Sequence, residues 1–578
     1  MLIVFLLGVL NGEAQRSPQP QAAAPIPQAL MNYQSVTPER LLHPEDANWL
    51  MIRRTYGGWG YSPLGQITPE NVAQMRPVWV FSTSETRAHE AAPLVNNDVM
   101  FVTTPMNQVI ALDVRTGNLL WRYRRPRPEG ASVPHETNRG VALYGDKVYY
   151  AAGEAVLVAL DAKTGKEVWT TSVADNKSSY YITLAPLVAG GKVMVGASGG
   201  EYGIRGFIAA FDPESGKELW RTYTVPGPGE PGSETWPKGD EWKTGGAPVW
   251  VTGNYDPETN TAYWGTGGPT IGDARPGDNL YTTSTIALDV ATGAINGFFQ
   301  YHQNDSWDYD EVSPPLLIDY QRGGRTVKGL VDVARDGYIW FLDRADLTPD
   351  HRFRFVEGKP FVFQNVFKGL DPQTGRPDVD PAHKPKTGTP AEFCPGSHGG
   401  KNWPPIAFSP KTRMIYIPAN NNMCSSNMGV KVDYRPGRPY VGIGNSKPFA
   451  LPGADHFGEV QAWNVDTGER VWTYNYPKSP NWGSMLATAG GLVFSGGTID
   501  RKFHAFDAVT GKLLWEFAVN SGVLAPPTSF SVDGKQYVAI ETGWGGDSRG
   551  DQATLNRLFP GEFPEVPEGG AVWVFGLP

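Results

Sequence analysis

The stretch ALDVRTGNLLW (111–121) decides the fold, because it comes back along the chain. Close copies read ALDAKTGKEVW (159–169), AFDPESGKELW (210–220), AWNVDTGERVW (462–472) and AFDAVTGKLLW (505–515). A sixth, ALDVATGAING (287–297), ends in Gly297 where the others have Trp. The first copy follows an apolar run, Val99-Met100-Phe101-Val102, which reads as a strand. Asp at a strand end followed by Thr-Gly makes a tight turn, with Gly taking positive φ. The next strand then brings Trp back to pack between neighbouring sheets. Further strand signals precede several copies, as in Lys147-Val148-Tyr149-Tyr150 and Lys192-Val193-Met194-Val195. A repeat of roughly 45–50 residues built from four short strands is the mark of a propeller blade. The last run, Ala571-Val572-Trp573-Val574-Phe575, is placed to pair with Val78-Trp79-Val80-Phe81 and close a ring. A closed ring leaves no free sheet edge.

The composition agrees. One core stops growing near ~250–300 residues, but a repeat adds core with every blade, so 578 residues fit a single domain. The 68 Gly and 50 Pro favour turns over long helices. With 40% hydrophobic and 19% charged residues, wholesale disorder is excluded. A net charge of −9 speaks against a nucleic-acid partner. Leu2 to Leu10 is apolar yet too short to span a bilayer. It reads as the core of a signal peptide, residues 1–14, although no Lys or Arg precedes it; a disordered terminus is the plainer alternative. Export to the periplasm follows from the first reading. Residues 15–40 then form a Pro/Ala/Gln-rich linker and 41–578 one propeller domain, with no transmembrane segment. Cys394 and Cys424, the two cysteines, permit one disulfide and exclude both a c-type haem motif and a Cys-rich zinc site.

The Ala-x-Asp-x-x-Thr-Gly-x-x-x-Trp phrase resembles the tryptophan-docking motif of the pyrroloquinoline quinone (PQQ) alcohol dehydrogenases. That resemblance implies an all-β, eight-bladed β-propeller with quinone and metal at its centre. Non-enzymatic scaffold propellers of outer-membrane assembly carry a similar phrase, so site residues must discriminate. Glu90 in HEAAP (89–93) and Arg139 in NRG (138–140) match quinone contacts of the family, as do Thr183 in TLAP and Ser198-Gly199-Gly200 in SGGE. Trp250 matches the indole beneath the quinone ring, and Asn402 and Trp482 match further contacts. Glu201 falls on a metal ligand, Asp308 in SWDYD on the catalytic base and Arg335 in ARDG on the Arg beside the reactive carbonyl. Cys394 and Cys424 sit where the family has a non-vicinal disulfide. The resemblance thus implies hydride transfer from an alcohol to the quinone, Asp308 taking the proton.

These residue types suit that chemistry. Arg pairs with carboxylates in fork geometry, Trp offers a flat face, and carboxylates hold a hard cation. Taken singly, each residue has a plainer reading. Glu90 could be a surface carboxylate, Arg139 and Arg335 structural ion-pair partners, Trp250 core, and Asp308 a turn residue. Their joint occurrence in order favours the enzyme.

Three departures from the family pattern stand out. Where relatives often carry adjacent cysteines, this chain has Val133-Pro134, followed by His135, a candidate substrate contact or a plain surface His. Gly268 in GTGGP (265–269) occupies the place of a metal-ligating Asn. Asp310 stands two residues after Asp308, where some relatives have an extra ligand associated with lanthanide use. The expected cofactors are PQQ and Ca2+, with a lanthanide or Mg2+ open. The changed lid points to a larger primary or secondary alcohol, a polyol or a polycyclic hydroxyl compound. The Pro-rich stretches 226–240 and 345–395 are candidate rim loops. Electrons must leave to an external acceptor such as a cytochrome c. The chain is expected as a monomer or homodimer.

Overall fold

The computed structural model describes residues 26–268 and 272–578. Within them, the repeated phrase builds a latch. The strand Gln108–Asp113 ends in a carboxylate whose Oδ1 accepts the backbone N–H of Arg115 and of Thr116, at 2.8 and 3.2 Å. Gly117 closes the turn at φ 71°, and Leu119–Arg124 returns with Trp121 opposite Ala111. The Trp121 indole donates to the carbonyl of Ala162 on the following sheet, at 3.0 Å. Its ring lies so close to Gly165 that an added Cβ would come within 2.6 Å. Glycine is therefore demanded there by both the positive φ and the neighbouring ring. Trp79, Trp169, Trp220, Trp472 and Trp515 donate in the same way, to the carbonyls of Val114, Pro213, Val290, Ala508 and Met75.

Among the described residues there are eight sheets of four or five strands, and six of the junctions between them carry such a latch. Six sheets carry the phrase. The other two are the sheet from Leu316–Arg322 to Phe353–Pro360 and the closing sheet. The closing sheet combines Arg76–Ser82, near the start, with Thr528–Val532, Lys535–Thr542 and Ala571–Gly576. Val80 pairs with Trp573, so the ring closes as expected into an eight-bladed β-propeller. At the degenerate copy, the Phe353 ring from the next blade covers Gly297 in place of the missing Trp; a Cβ there would meet it at 2.7 Å.

Outside the blades, beside a hairpin of Phe367–Leu370 and Pro377–Val379, stand two larger additions. A small sheet joins Pro390–Phe393, Met423–Gly429 and Ile443–Ala450, stapled by the Cys394–Cys424 disulfide. A helix, Gly546–Leu558, interrupts the closing sheet. The expected signal segment 1–14 lies outside the described residues. Part of the expected linker is packed. Helices Gln28–Met31 and Pro38–Leu42 bury Leu30 and Leu41, Tyr33 and Val36 are buried between them, and Val36 bridges to Gly145. The apolar residues interleaved among the Pro and Gln explain why that stretch docks from about residue 28 onward. No described helix is long and apolar enough to cross a membrane.

Candidate active site

Strand direction puts the site on one face. In each blade the entry to the first strand and the exit from the second lie at the same end, because the two are antiparallel. Glu90, Arg139, Thr183, Trp250, Asp308, Asn402 and Trp482 all precede first strands; Ser198, Gly268 and Arg335 follow second strands. The Asp-x-x-Thr-Gly turns join third to fourth strands and so occupy the opposite face. Residues hundreds of positions apart are thereby gathered into one cavity. Arg139, Thr183, Ser198, Gly199, Gly200, Glu201, Trp250, Gly268, Asp308, Asp310, Arg335 and Asn402 all line it.

The floor is Trp250. Guanidinium groups lie over its ring from two directions, Arg139 at 4.9 Å and Arg335 at 5.6 Å. Arg139 also donates to Thr183 Oγ1 at 2.7 Å and pairs with Glu90 at 2.8 Å. Burial pushes the Glu90 carboxyl up, and Arg139 opposes it. Thr183 and Ser198 hydroxyls stand 3.3 Å apart. Arg335 donates to the Asp308 carbonyl at 2.8 Å and to Asn402 Oδ1 at 3.3 Å. The Nε of Arg139 and the Nε of Arg335 are both buried without a hydrogen-bond partner. Orphaned buried donors are costly unless a ligand satisfies them. A flat indole, two arginines with unspent donors and two hydroxyls fit a planar, multiply charged anion.

Beside this floor stand acids. Asp308 holds a left-handed backbone, φ 70°, which a non-glycine residue rarely adopts. Asp305, three residues earlier in the same loop, fixes it. Its carboxylate accepts the N–H groups of Trp307, Asp308 and Tyr309 at 3.2, 3.1 and 3.4 Å and meets His302 at 3.1 Å. Burial and the neighbouring Asp310 push the Asp308 carboxyl well above the usual range, against Arg335. Burial raises Asp310 too. Asp310 accepts from Trp250 Nε1 at 2.7 Å and from the Gly268 N–H. A Cβ at 268 would come within 2.8 Å of Asp305 Oδ2, so the backbone there has no room for a side chain without a shift. Glu201 is drawn aside: Tyr181 donates to its Oε1 at 2.5 Å, and His135 approaches to 3.8 Å. Among the described residues no three acidic or imidazole groups close to metal-binding distance. The donor set is all carboxylate, which suits a hard cation, and such an ion would relieve the repulsion between Asp308 and Asp310. Glu201 would have to turn from Tyr181 to join them.

The rim differs from the sequence reading. Neither 226–240 nor 345–395 supplies a lining residue among those described. Val441 and Ile443 do so from the disulfide-stapled sheet, and Asp547 from the helix Gly546–Leu558. His135 lines the cavity, stacked on Tyr181 at 6.1 Å. Trp482 stands behind the wall, its ring 5.6 Å from that of His398, and donates to Asp551 at 2.9 Å. Glu90 likewise stands behind Arg139. Sequence reasoning missed His398, Tyr181 and Asp547. Asp547 follows the second strand of its blade, the same position that yields Ser198, Gly268 and Arg335 in theirs.

Comparison with known proteins places this architecture among quinoproteins. Residues 49–350 and 476–538 match the PQQ family model described as glucose/ethanol/alcohol dehydrogenase, beta-propeller domain. The chain is 38% identical to quinoprotein alcohol dehydrogenase PedH of Pseudomonas putida, over 90% of this chain and 89% of that one. It is 36% identical to the lanthanide-dependent methanol dehydrogenase of Methylacidiphilum fumariolicum, over 87% and 86%. A solved europium-containing methanol dehydrogenase superposes with a TM-score of 0.85 at 34% identity, covering 93% of this chain and all of its own.

Proposed function

The chain belongs to the family of PQQ-dependent alcohol dehydrogenases, and from that premise we propose that Asp308 is the base with which it oxidises an alcohol larger than methanol. It is an oxidoreductase dependent on PQQ and a metal ion; the scaffold reading finds no support in these relatives. The observation that carries the assignment is the meeting of Asp308, Asp310 and Arg335 beside the Trp250 floor in one cavity.

When bound, the quinone supplies a two-electron acceptor and the cation supplies Lewis acidity. The Trp250 face orients a flat ring, while Arg139, Thr183, Ser198 and Asn402 offer it hydrogen-bonding groups. Asp308 accepts the alcohol proton on a carboxylate oxygen that faces the cavity. Arg335, already tied to the Asp308 carbonyl, stabilises negative charge that develops beside it. Asp308 and Asp310, with Glu201 once it turns from Tyr181, are the residues that would hold the cation. Each Asp310 oxygen accepts one hydrogen bond and keeps a second lone pair for a metal. Calcium was the expectation from sequence. Gly268 removes a neutral ligand and leaves three carboxylates, which suits a trivalent lanthanide better, and two relatives carry a lanthanide in their names. The stapled sheet and apolar Leu2–Leu10 support a periplasmic enzyme, since disulfides persist in oxidising compartments. Its electrons pass on to an acceptor, for which a cytochrome c is the proposed partner.

Competitive titration of the metal-free protein with La3+ and Ca2+ in the presence of PQQ tests the ion. La3+ should bind at least about tenfold tighter, a difference of ~1.4 kcal/mol, and Asp310→Ala should erase that preference. Tighter binding of Ca2+ by the unaltered protein would reject the lanthanide.

A further inference from the structure

Asp547 has no place in the chemistry above, yet its carboxylate lines the same cavity as Asp308. It opens the helix Gly546–Leu558, and that helix is anchored. Asp551, one turn on, pairs with His398 at 2.5 Å and accepts from Trp482 Nε1 at 2.9 Å. Ser548 donates to the Gly545 carbonyl at 2.6 Å, and Leu555 is buried. The side chain of Asp547 itself is tied by no hydrogen bond or ion pair among the described residues. A carboxylate on a fixed element, facing the cavity with its acceptors unspent, is positioned to receive hydrogen bonds.

Its surroundings say which donor. Burial acts against its charge, but His398, His135, Arg335 and Arg139 together hold it ionised. Because that charge is already balanced, a cationic substrate gains little there and meets the same positive groups. A neutral hydroxyl loses nothing to them. Val441 and Ile443 complete the wall with apolar surface suited to a carbon skeleton.

We propose that Asp547 determines substrate specificity by accepting a hydrogen bond from a second hydroxyl group, so that the enzyme selects diols and related polyols over simple alcohols. This rests on the reading of the cavity as an alcohol site. One hydroxyl presents its proton to Asp308, and another reaches Asp547. A simple alcohol would leave the Asp547 carboxylate against a hydrocarbon tail. Sites built to hydrogen-bond a substrate hydroxyl reject analogues that lack it more strongly than apolar pockets reject an added one.

The test compares 1,2- and 1,3-propanediol with 1-propanol in the holoenzyme and in its Asp547→Leu and Asp547→Asn variants. Tryptophan fluorescence gives the diol Kd with the quinone already reduced. The ratio of kcat/KM, diol over simple alcohol, should fall about ten- to a hundredfold in Asp547→Leu, mainly through KM, as expected for one hydrogen bond to a charged acceptor. Asp547→Asn, which keeps an acceptor oxygen, should retain part of the preference. An unchanged ratio, or equal losses on all substrates, overturns the proposal. If the holoenzyme binds quinone but oxidises none of them, the alcohol-site reading fails, and the diol Kd still decides whether Asp547 binds hydroxyls.

Discussion

At the scale of single residues, the site depends on buried charges that hold one another. Arg139 meets Glu90 at 2.8 Å with both side chains largely buried, and its Nε remains free for a ligand. Arg139→Leu should therefore act twice. It strands a buried carboxylate, costing about 3–5 kcal/mol of stability, and it removes a quinone donor. Adding Glu90→Gln should recover much of the stability and none of the quinone affinity. Denaturation curves and PQQ titration of the two variants separate the effects; joint recovery of both would show that Arg139 serves only structure. These residues were legible in the sequence because each sits in a short segment of fixed composition, such as NRG or SWDYD. Asp547 and His398 were not. Their importance comes from where a strand exit and a loop after the disulfide happen to point, and no local pattern marks that. Trp482 shows the reverse: its segment was recognised, but the fold sets it behind His398.

At the scale of elements, the repeated turn was readable because it makes one demand in every copy, a glycine at positive φ, which in five of the six lies under a tryptophan. The packed stretch from residue 28 was not, because Pro and Gln mask the few apolar residues that dock it. The helix Gly546–Leu558 belongs to this scale too, since its hold on the ring runs through His398 and Asp551. Burial disfavours charge on His398, and the Asp551 carboxylate outweighs it, so the imidazole is pushed up to about 9. A raised value in the folded state means the pair stabilises fully below the ordinary His range near ~6.5. That stabilisation is lost as pH climbs through about 9. The imidazole is 43% exposed, so solvent weakens the effect. The melting temperature should fall between pH 7 and pH 9, and less steeply in Asp551→Asn. Parallel profiles for the two proteins would contradict this account of the helix anchor.

For the whole molecule, a closed ring of eight blades explains how one chain of 578 residues carries a single site. The pairing of Arg76–Ser82 with Ala571–Gly576 joins the two ends of the chain, so the cavity face is fixed only once the ring is complete. Blade number could be reached from sequence through five good copies, one degenerate copy and the family resemblance. The two remaining blades lack the phrase: the closing one showed in its terminal strand pair, and the sheet from Leu316–Arg322 to Phe353–Pro360 is revealed only by the pairing of its strands. The central claim is that this face holds a quinone and a cation for alcohol oxidation. The most direct measurement adds PQQ and metal ion, together and separately, to the metal-free protein and follows alcohol-dependent dye reduction. The account predicts activity only when both are present. Alcohol oxidation without the quinone, or full activity with the quinone alone after rigorous metal removal, would contradict it.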